Sequence, residues 1–365
     1  MKIPFVDLKA QYISIKNDID QAIAQVINET AFIKGRFVKE FETLYSKANN
    51  VRHTISCGNG TDAIYIALKS LDIGPGDEVI TTALSWISTS ETITQTGAKV
   101  VFVDIDPNYY TIDPNKIEEK ITKNTKAIIP VHLYGQPAPM DKINLIAKNY
   151  NLKIIEDCAQ AHFAEYKNQI VGTIGDIGTF SFFPGKNLGA YGDAGGIITN
   201  DDHLAEKMRL YANHGALKKH HHQIEGINSR LDGLQAAILI TKLPHILNWN
   251  NNRRKHARNY TNLLQNSNIL TPEINLDANH VFHLYVIQHD ERDKLQIYLN
   301  NNGISTGIHY PTALPFLKAY KYLGHSSKDF PNAFNAQNKI LSIPIFPELS
   351  NKQLNFIVDK INSFS

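Results

Sequence analysis

One lysine stands out by its setting. In Ser181-Phe182-Phe183-Pro184-Gly185-Lys186-Asn187-Leu188-Gly189, Lys186 follows a β-rich apolar run and sits on a turn bounded by proline and glycine. A lysine held in that way cannot sweep through solvent, so it can act as a nucleophile that forms a Schiff base with an aldehyde. Among 37 Lys+Arg, the first reading of any single one is a solvated surface charge. Its chemical company changes that reading. Asn151-Leu152-Lys153-Ile154-Ile155-Glu156-Asp157 reads as a short buried strand ending in acid, which sets Asp157 at a strand C-terminus, where open α/β sheets bind ligands. A carboxylate about 4 Å from a protonated ring nitrogen, at an effective dielectric near 20, gains roughly 4 kcal/mol, or about three pKa units. The competing role for Asp157 is a helix N-cap before Cys158-Ala159-Gln160-Ala161.

An anion cradle is offered upstream by Cys57-Gly58-Asn59-Gly60-Thr61-Asp62-Ala63. Small residues let backbone N–H groups approach a phosphate, and the following helix, apolar at Ala63, Ile64, Ala67, Leu68 and Leu71, points its positive end there. Ser181 can add a hydroxyl. A dinucleotide fingerprint is the rival reading, but GNGTDA lacks the third glycine where that motif needs it. Trp86, in Leu84-Ser85-Trp86-Ile87-Ser88-Thr89, offers a flat face for a ring, or else an ordinary core aromatic. A lysine, an acid, a phosphate cradle and a ring face are together the needs of pyridoxal phosphate.

These residues require an α/β scaffold. Ile15, Ile19, Ile23, Val26 and Ile27 show helical spacing, and strands and helices then alternate to about residue 200. Strands are expected at 78–82, 99–103, 127–133, 152–156, 177–183 and 195–200, and helices at 61–71, 87–96, 114–122 and 140–150, with Asp113-Pro114 and Pro139-Met140 as starts. A three-layer α/β/α domain with a mainly parallel sheet follows. Beyond Asp232 come helical patterns at 232–243 and 249–265 with Pro244 at the break, then a strand at 281–288 and a helix ending near Gly303. The expected division is a large domain over 1–244 and a smaller C-terminal α/β domain over 245–365, which the N-terminal segment can join.

In order along the chain, PFVDL at 4–8, GNGTDA at 58–63, GPGDEVITT at 74–82, VFVDID at 101–106, PVHLYGQ at 130–136, EDCAQAH at 156–162, SFFPGKNLGAYGDAGGIITND at 181–201 and GINSRLDGLQAAIL at 226–239 make a series that resembles the DegT/DnrJ/EryC1/StrS family. Its members are sugar-nucleotide aminotransferases of fold type I. The resemblance implies that Lys186 forms the internal aldimine, Asp157 pairs with the pyridine nitrogen and Gln160 contacts the ring hydroxyl. It also implies that Gly60, Thr61 and Ser181 hold the phosphate, that Trp86 stacks on the ring, and that Asn228 reaches the phosphate of a neighbouring subunit. A homodimer with shared active sites is therefore expected. Phe163 stands where the family usually has glycine and is expected to narrow the space beside the cofactor loop; Cys158 replaces a common alanine. A related branch with histidine in place of the lysine dehydrates sugars, and Lys186 argues against it.

By the same resemblance, L-glutamate gives up its amino group and leaves as 2-oxoglutarate. The cofactor's pyridoxamine form then aminates a nucleotide-linked keto-sugar (dTDP or UDP), at C3 in preference to C4, for O-antigen or another surface polysaccharide. A non-catalytic cofactor-binding regulatory protein of the same fold is the alternative, and a nicotinamide oxidoreductase a weaker one. With 365 residues, 42% hydrophobic content and a net charge of +2, the chain can bury a large core and makes no electrostatic case for nucleic acid. No apolar run of about eighteen residues and no signal peptide are seen, so a soluble, cytoplasmic protein is expected. Cys57 and Cys158 lack metal or redox spacing and read as reduced thiols. His220-His221-His222 reads as a solvated loop rather than a metal site, and Arg253-Arg254-Lys255-His256 as an exposed helix face.

Overall fold

A computed structural model describes residues 1–264 and 268–364. Seven strands form the central sheet: β1 (His53–Cys57), β2 (Glu78–Thr82), β3 (Lys99–Val103), β4 (Thr125–Ile129), β5 (Lys153–Asp157), β6 (Ile177–Ser181) and β7 (Gly195–Thr199). Their order is β1-β7-β6-β5-β4-β2-β3. Pairing is parallel from β3 through β2, β4 and β5 to β6, while β7 runs antiparallel to both β6 and β1. Every strand but β7 therefore points the same way, and their carboxyl ends share one edge.

Strand alternation assigns each residue to a layer. Ile55, Ile155 and Ile197 pack on one face with Ala63, Ile64 and Ala67 of helix Gly60–Ser70 and Met208 of helix Asp202–Tyr211. On the other face Phe180 and Ile198 meet Phe41 and Tyr45 of helix Gly35–Asn49 and Leu239 of helix Gly233–Lys242. Ile80, Ile128 and Ile154 meet Ile143 of helix Met140–Tyr150 on that same face. Each fully buried side chain of this kind contributes about 1.5–3 kcal/mol, so both helical layers are needed to hold the sheet.

Several boundaries move for local reasons. The strand expected over 127–133 stops at Ile129, because Pro130 has no N–H to donate. The helix expected over 114–122 is instead two 3₁₀ turns, Pro114–Lys116 and Glu118–Lys120. Only Pro114 and Ile117 of that stretch are buried, so no apolar stripe holds an α-helix there. The break expected at Pro244 is a single 3₁₀ turn, Leu243–His245, that feeds directly into helix Ile246–Leu263. That helix starts before 249, and residue 265 of the expected 249–265 lies outside the described residues. The strand expected over 281–288 is confined to β8 (Tyr285–Gln288), which pairs antiparallel with β9 (Ile340–Ile343). Around this small sheet Tyr260, Leu295, Leu299, Ile357 and Ile361 form a further core, and Ile3 enters it while bridging to Ile304.

The basic stretch at 253–256 is not an exposed face. Arg253 and His256 are buried, and Arg253 Nη1 donates to the carbonyls of Phe282, His283 and Ile345. Three converging carbonyls need a donor, and a guanidinium supplies it from a helix that would otherwise be polar outside. Phe163 is buried in the cluster that also holds Leu188 and Ala190 of the loop after Lys186. It adopts φ 59° and packs its ring 5.9 Å from Tyr45. The left-handed backbone explains why glycine suits this position.

Candidate active site

A cavity of about 570 Å³ opens at the shared carboxyl edge of the sheet. Asn59, Gly60 and Thr61 enter it after β1, Ser85 and Trp86 after β2, Asp157 and Gln160 at the end of β5, and Ser181 and Lys186 at and after β6. Arg253, His283, His309, Tyr310 and Ile345 close it from the C-terminal part of the chain. All the residues expected to meet the cofactor thus come together except Asn228, which is exposed and lies outside the lining.

At the cradle, Asn59 caps helix Gly60–Ser70 by accepting from Asp62 N at 2.8 Å. The first N–H groups, of Gly60 and Thr61, are left pointing outward, an anion site by geometry and by dipole. A Cβ at position 60 would sit 2.7 Å from Ser181 Cβ, so only glycine allows the helix start and the end of β6 to touch. Thr61 Oγ1 lies 2.7 Å from Ser88 Oγ. Trp86 is 58% exposed and tilts against Tyr310 with centroids 5.7 Å apart; it is a wall of the cavity, not a core aromatic.

Asp157 is buried and accepts from Thr89 Oγ1 at 2.8 Å and from Ala159 N at 3.1 Å. The second contact is a turn, and no helix follows, so the capping role does not apply. Its neighbour Glu156 points to the opposite side of β5. There it accepts from the backbone N–H groups of Gly172, Ile174 and Gly175 and from His132 Nε2. His132 Nδ1 accepts from Ala138 N, which fixes the tautomer. Although Cys158 lies close to both, these lone pairs are already used to tie loops together, and the group is structural.

Gln160 Oε1 accepts from Tyr134 N at 2.6 Å, leaving its Nε2 to donate to Tyr310 Oη at 3.0 Å. The loop carrying Lys186 closes on itself through Lys186 N to Phe183 O, and Asn187 Nδ2 anchors it to Asn250 Oδ1 and Val281 O. Burial lowers the Lys186 amine to about 8, with the Asp157 charge opposing the shift. Burial and the Lys186 charge together hold His309 down to about 4 and His283 well below the usual histidine range. Both imidazoles are therefore neutral near pH 7. His309, His283 and Tyr310 escape the sequence reading because nothing in their local sequence marks them; only the packing of the small sheet brings them over Lys186.

The amine, the acid at a strand end, the helix N-terminus and the open wall fit an aldehyde-bearing, phosphorylated ring. This combination defines a fold type I pyridoxal phosphate enzyme. The chain belongs to the DegT/DnrJ/EryC1/StrS aminotransferase family, whose profile matches residues 13–362. It is 47% identical to a pleiotropic regulatory protein of Geobacillus stearothermophilus, covering 100% of this chain and 99% of that one. It is 43% identical to the dTDP-3-amino-3,6-dideoxy-alpha-D-galactopyranose transaminase of Aneurinibacillus thermoaerophilus, over 99% of each. The crystal structure of S. venezuelae DesV in complex with a ketimine intermediate superposes with a TM-score of 0.97 at 37% identity, covering 99% of this chain and 98% of that one. The protein is a sugar-nucleotide aminotransferase that works with pyridoxal phosphate and its pyridoxamine form.

A pH dependence follows from the amine. Only neutral Lys186 can attack an aldehyde, so uptake of added pyridoxal phosphate by the apo-protein should rise with pH about a midpoint near 8 rather than 10.5. In Asp157→Asn the midpoint should fall further, because the charge that favours the ammonium is gone. Stopped-flow absorbance of the yellow complex reads both; a midpoint above about 10 would show a solvated lysine.

Proposed function

We propose that this enzyme moves the amino group of L-glutamate to C3 of a keto-sugar carried on dTDP or UDP, in the making of O-antigen or another surface polysaccharide. The observation that carries the C3 preference is the 43% identity to a transaminase whose product bears a 3-amino group. When bound, pyridoxal phosphate supplies an aldehyde that accepts the amine and a ring that stores an electron pair. Lys186 would hold the aldehyde carbon and, once released, carry the proton between the two carbons that flank the transferred nitrogen. An amine lowered to about 8 accepts and returns a proton readily at neutral pH. Asp157 would keep the ring nitrogen protonated, Gln160 would contact the ring hydroxyl, and Gly60, Thr61 and Ser181 would hold the phosphate. Trp86 would cover one ring face.

The test is direct. Purified yellow protein is treated with L-glutamate, then offered UDP- and dTDP-linked 3-keto and 4-keto sugars, with product position read by NMR. Amination at C4 would overturn the C3 preference and leave the class intact. A second reading, a cofactor-binding regulator, has the 47% identity to a pleiotropic regulatory protein in its favour. A spectrum unchanged by amino donors, with no sugar product, would establish it.

We also infer a homodimer. Asn228 is exposed, and the apolar side chains of Phe32, Ile33, Leu217 and Ile224 are exposed on or beside its loop. Such a patch calls for a covering surface, and a second copy would bring Asn228 to the partner's phosphate cradle. Mixing Lys186→Ala subunits with subunits altered at Asn228 should restore one intact site per heterodimer, about half of wild-type activity per pair. No recovery in a demonstrated heterodimer would defeat the shared site.

A further inference from the structure

Helix Ser88–Gln95 is rich in hydroxyls, and most of them serve the helix itself. Ser90 Oγ donates to Ile87 O, Thr92 Oγ1 to Ser88 O and Thr94 Oγ1 to Glu91 O, the ordinary bond of a helical serine or threonine to a carbonyl of the preceding turn. Thr89 does otherwise. Buried in the first turn, it donates at 2.8 Å to Asp157 Oδ2, 68 positions along the chain. Its oxygen also lies 3.0 Å from Ser85 Oγ, which is buried as well, and both residues line the cavity.

Counting hydrogens fixes the direction of this chain of hydroxyls. An ionised carboxylate only accepts, so the single O–H hydrogen of Thr89 goes to Asp157. The contact between the two hydroxyls then has one donor, and Ser85 gives its hydrogen to Thr89. Asp157 Oδ1 accepts from Ala159 N at 3.1 Å, so each carboxylate oxygen has one protein donor among the described residues. Donors on a carboxylate stabilise its charged form, and a hydroxyl that itself accepts a hydrogen bond is a stronger donor. A carboxylate held in this way leaves a shared proton on its partner. The residue before Thr89, Ser88, is turned elsewhere, with Oγ 2.7 Å from Thr61 Oγ1 at the cradle.

We propose that Thr89, itself held by Ser85, is a positioning residue that keeps the proton on the cofactor's ring nitrogen by donating to Asp157 Oδ2. This rests on the reading of Asp157 given above. Without the Thr89 hydroxyl, Asp157 keeps its place in the turn through Ala159 N but draws the shared proton toward itself. The ring then stores an electron pair less readily, in the donor half-reaction and the sugar half-reaction alike. Thr89 therefore sets rate and not the choice of substrate.

The experiment reads the proton directly. Apo-protein is loaded with pyridoxal phosphate isotope-labelled at the ring nitrogen, and the nitrogen chemical shift is recorded by NMR before any amino donor is added. Wild type, Thr89→Ser and Ser88→Ala should show a protonated ring. Thr89→Val, which keeps the shape and loses the hydroxyl, should move the signal toward the unprotonated position. Its single-turnover rates with L-glutamate and with the keto-sugar should both fall about tenfold, with half-saturating concentrations changed less than about twofold. An unmoved signal in Thr89→Val overturns the proposal. So does an equal movement in Ser88→Ala, which would mean a general loosening of the helix start, and so does a raised half-saturating concentration for one substrate alone, which would make Thr89 a contact of that substrate. Asp157→Asn is recorded beside them: if it moves the signal and Thr89→Val does not, Thr89 alone is dismissed, and if neither moves it, the reading of Asp157 has failed as well. Thr89→Val can fail to fold, because it strips a donor from a buried carboxylate. Ser85→Ala then decides, since it must move the signal the same way by a smaller amount, and an unmoved signal ends the idea. The nitrogen signal needs no turnover, so the result does not depend on which donor or sugar the enzyme takes.

Discussion

Lys186→Ala is expected to lower amino transfer on the order of ten-thousand-fold or more, since the change removes both the group that would hold the aldehyde and the base that would move the proton. The fold should survive. The Lys186 side chain makes no hydrogen bond or ion pair among the described residues, and the turn is held by backbone and by Asn187. Removing a buried amine whose charged form is disfavoured should change stability by no more than about 1 kcal/mol. Thermal melts and single-turnover rates check the two halves of this result. A variant with substantial turnover would sink the assignment of Lys186, and one that fails to fold would show a structural role for the amine.

Asp157→Asn should keep bound cofactor and lose roughly a thousandfold in rate. About 4 kcal/mol of ring-nitrogen protonation disappears with the charge, and each 1.36 kcal/mol is a factor of ten. The isostere suits the site: an amide oxygen can still accept from Ala159 N, and its NH₂ can donate to Thr89 Oγ1, which now accepts. The loss would therefore report charge rather than collapse. Bound-cofactor absorbance, kcat and melting temperature should be measured together. Near-wild-type turnover would leave Asp157 with nothing more than its turn.

Legibility varied with the range of the interaction that defines each residue. Lys186, Asp157, Gly60, Thr61 and Ser181 could be found because their setting is local: a turn after a strand, an acid at a strand end, a glycine at a helix start. Helix Gly35–Asn49 had a readable stripe in Phe37, Val38, Phe41 and Tyr45, yet it and β1 stand outside the expected elements. The strand β1 is short, and it exists by pairing with β7, which is 138 or more positions later. The arginine at 253 looked like part of a solvated run because its three carbonyl partners lie about 30 and 90 residues away. His309 and Tyr310 carry no local signature at all. Asn228 is visible only through family likeness, because its proposed partner belongs to another chain.

The cavity's lining runs from Phe5 to Ile345, and the sheet edge beneath it is finished only when β7 returns to pair with β1. A chain emerging from the ribosome cannot assemble this site piecemeal. Lys186 is synthesised about 160 residues before the last wall segment, Ile345, and until then the finished sheet lacks the C-terminal wall of the cavity. Productive cofactor loading must therefore follow translation, and the yellow colour of the protein becomes a certificate of completed folding.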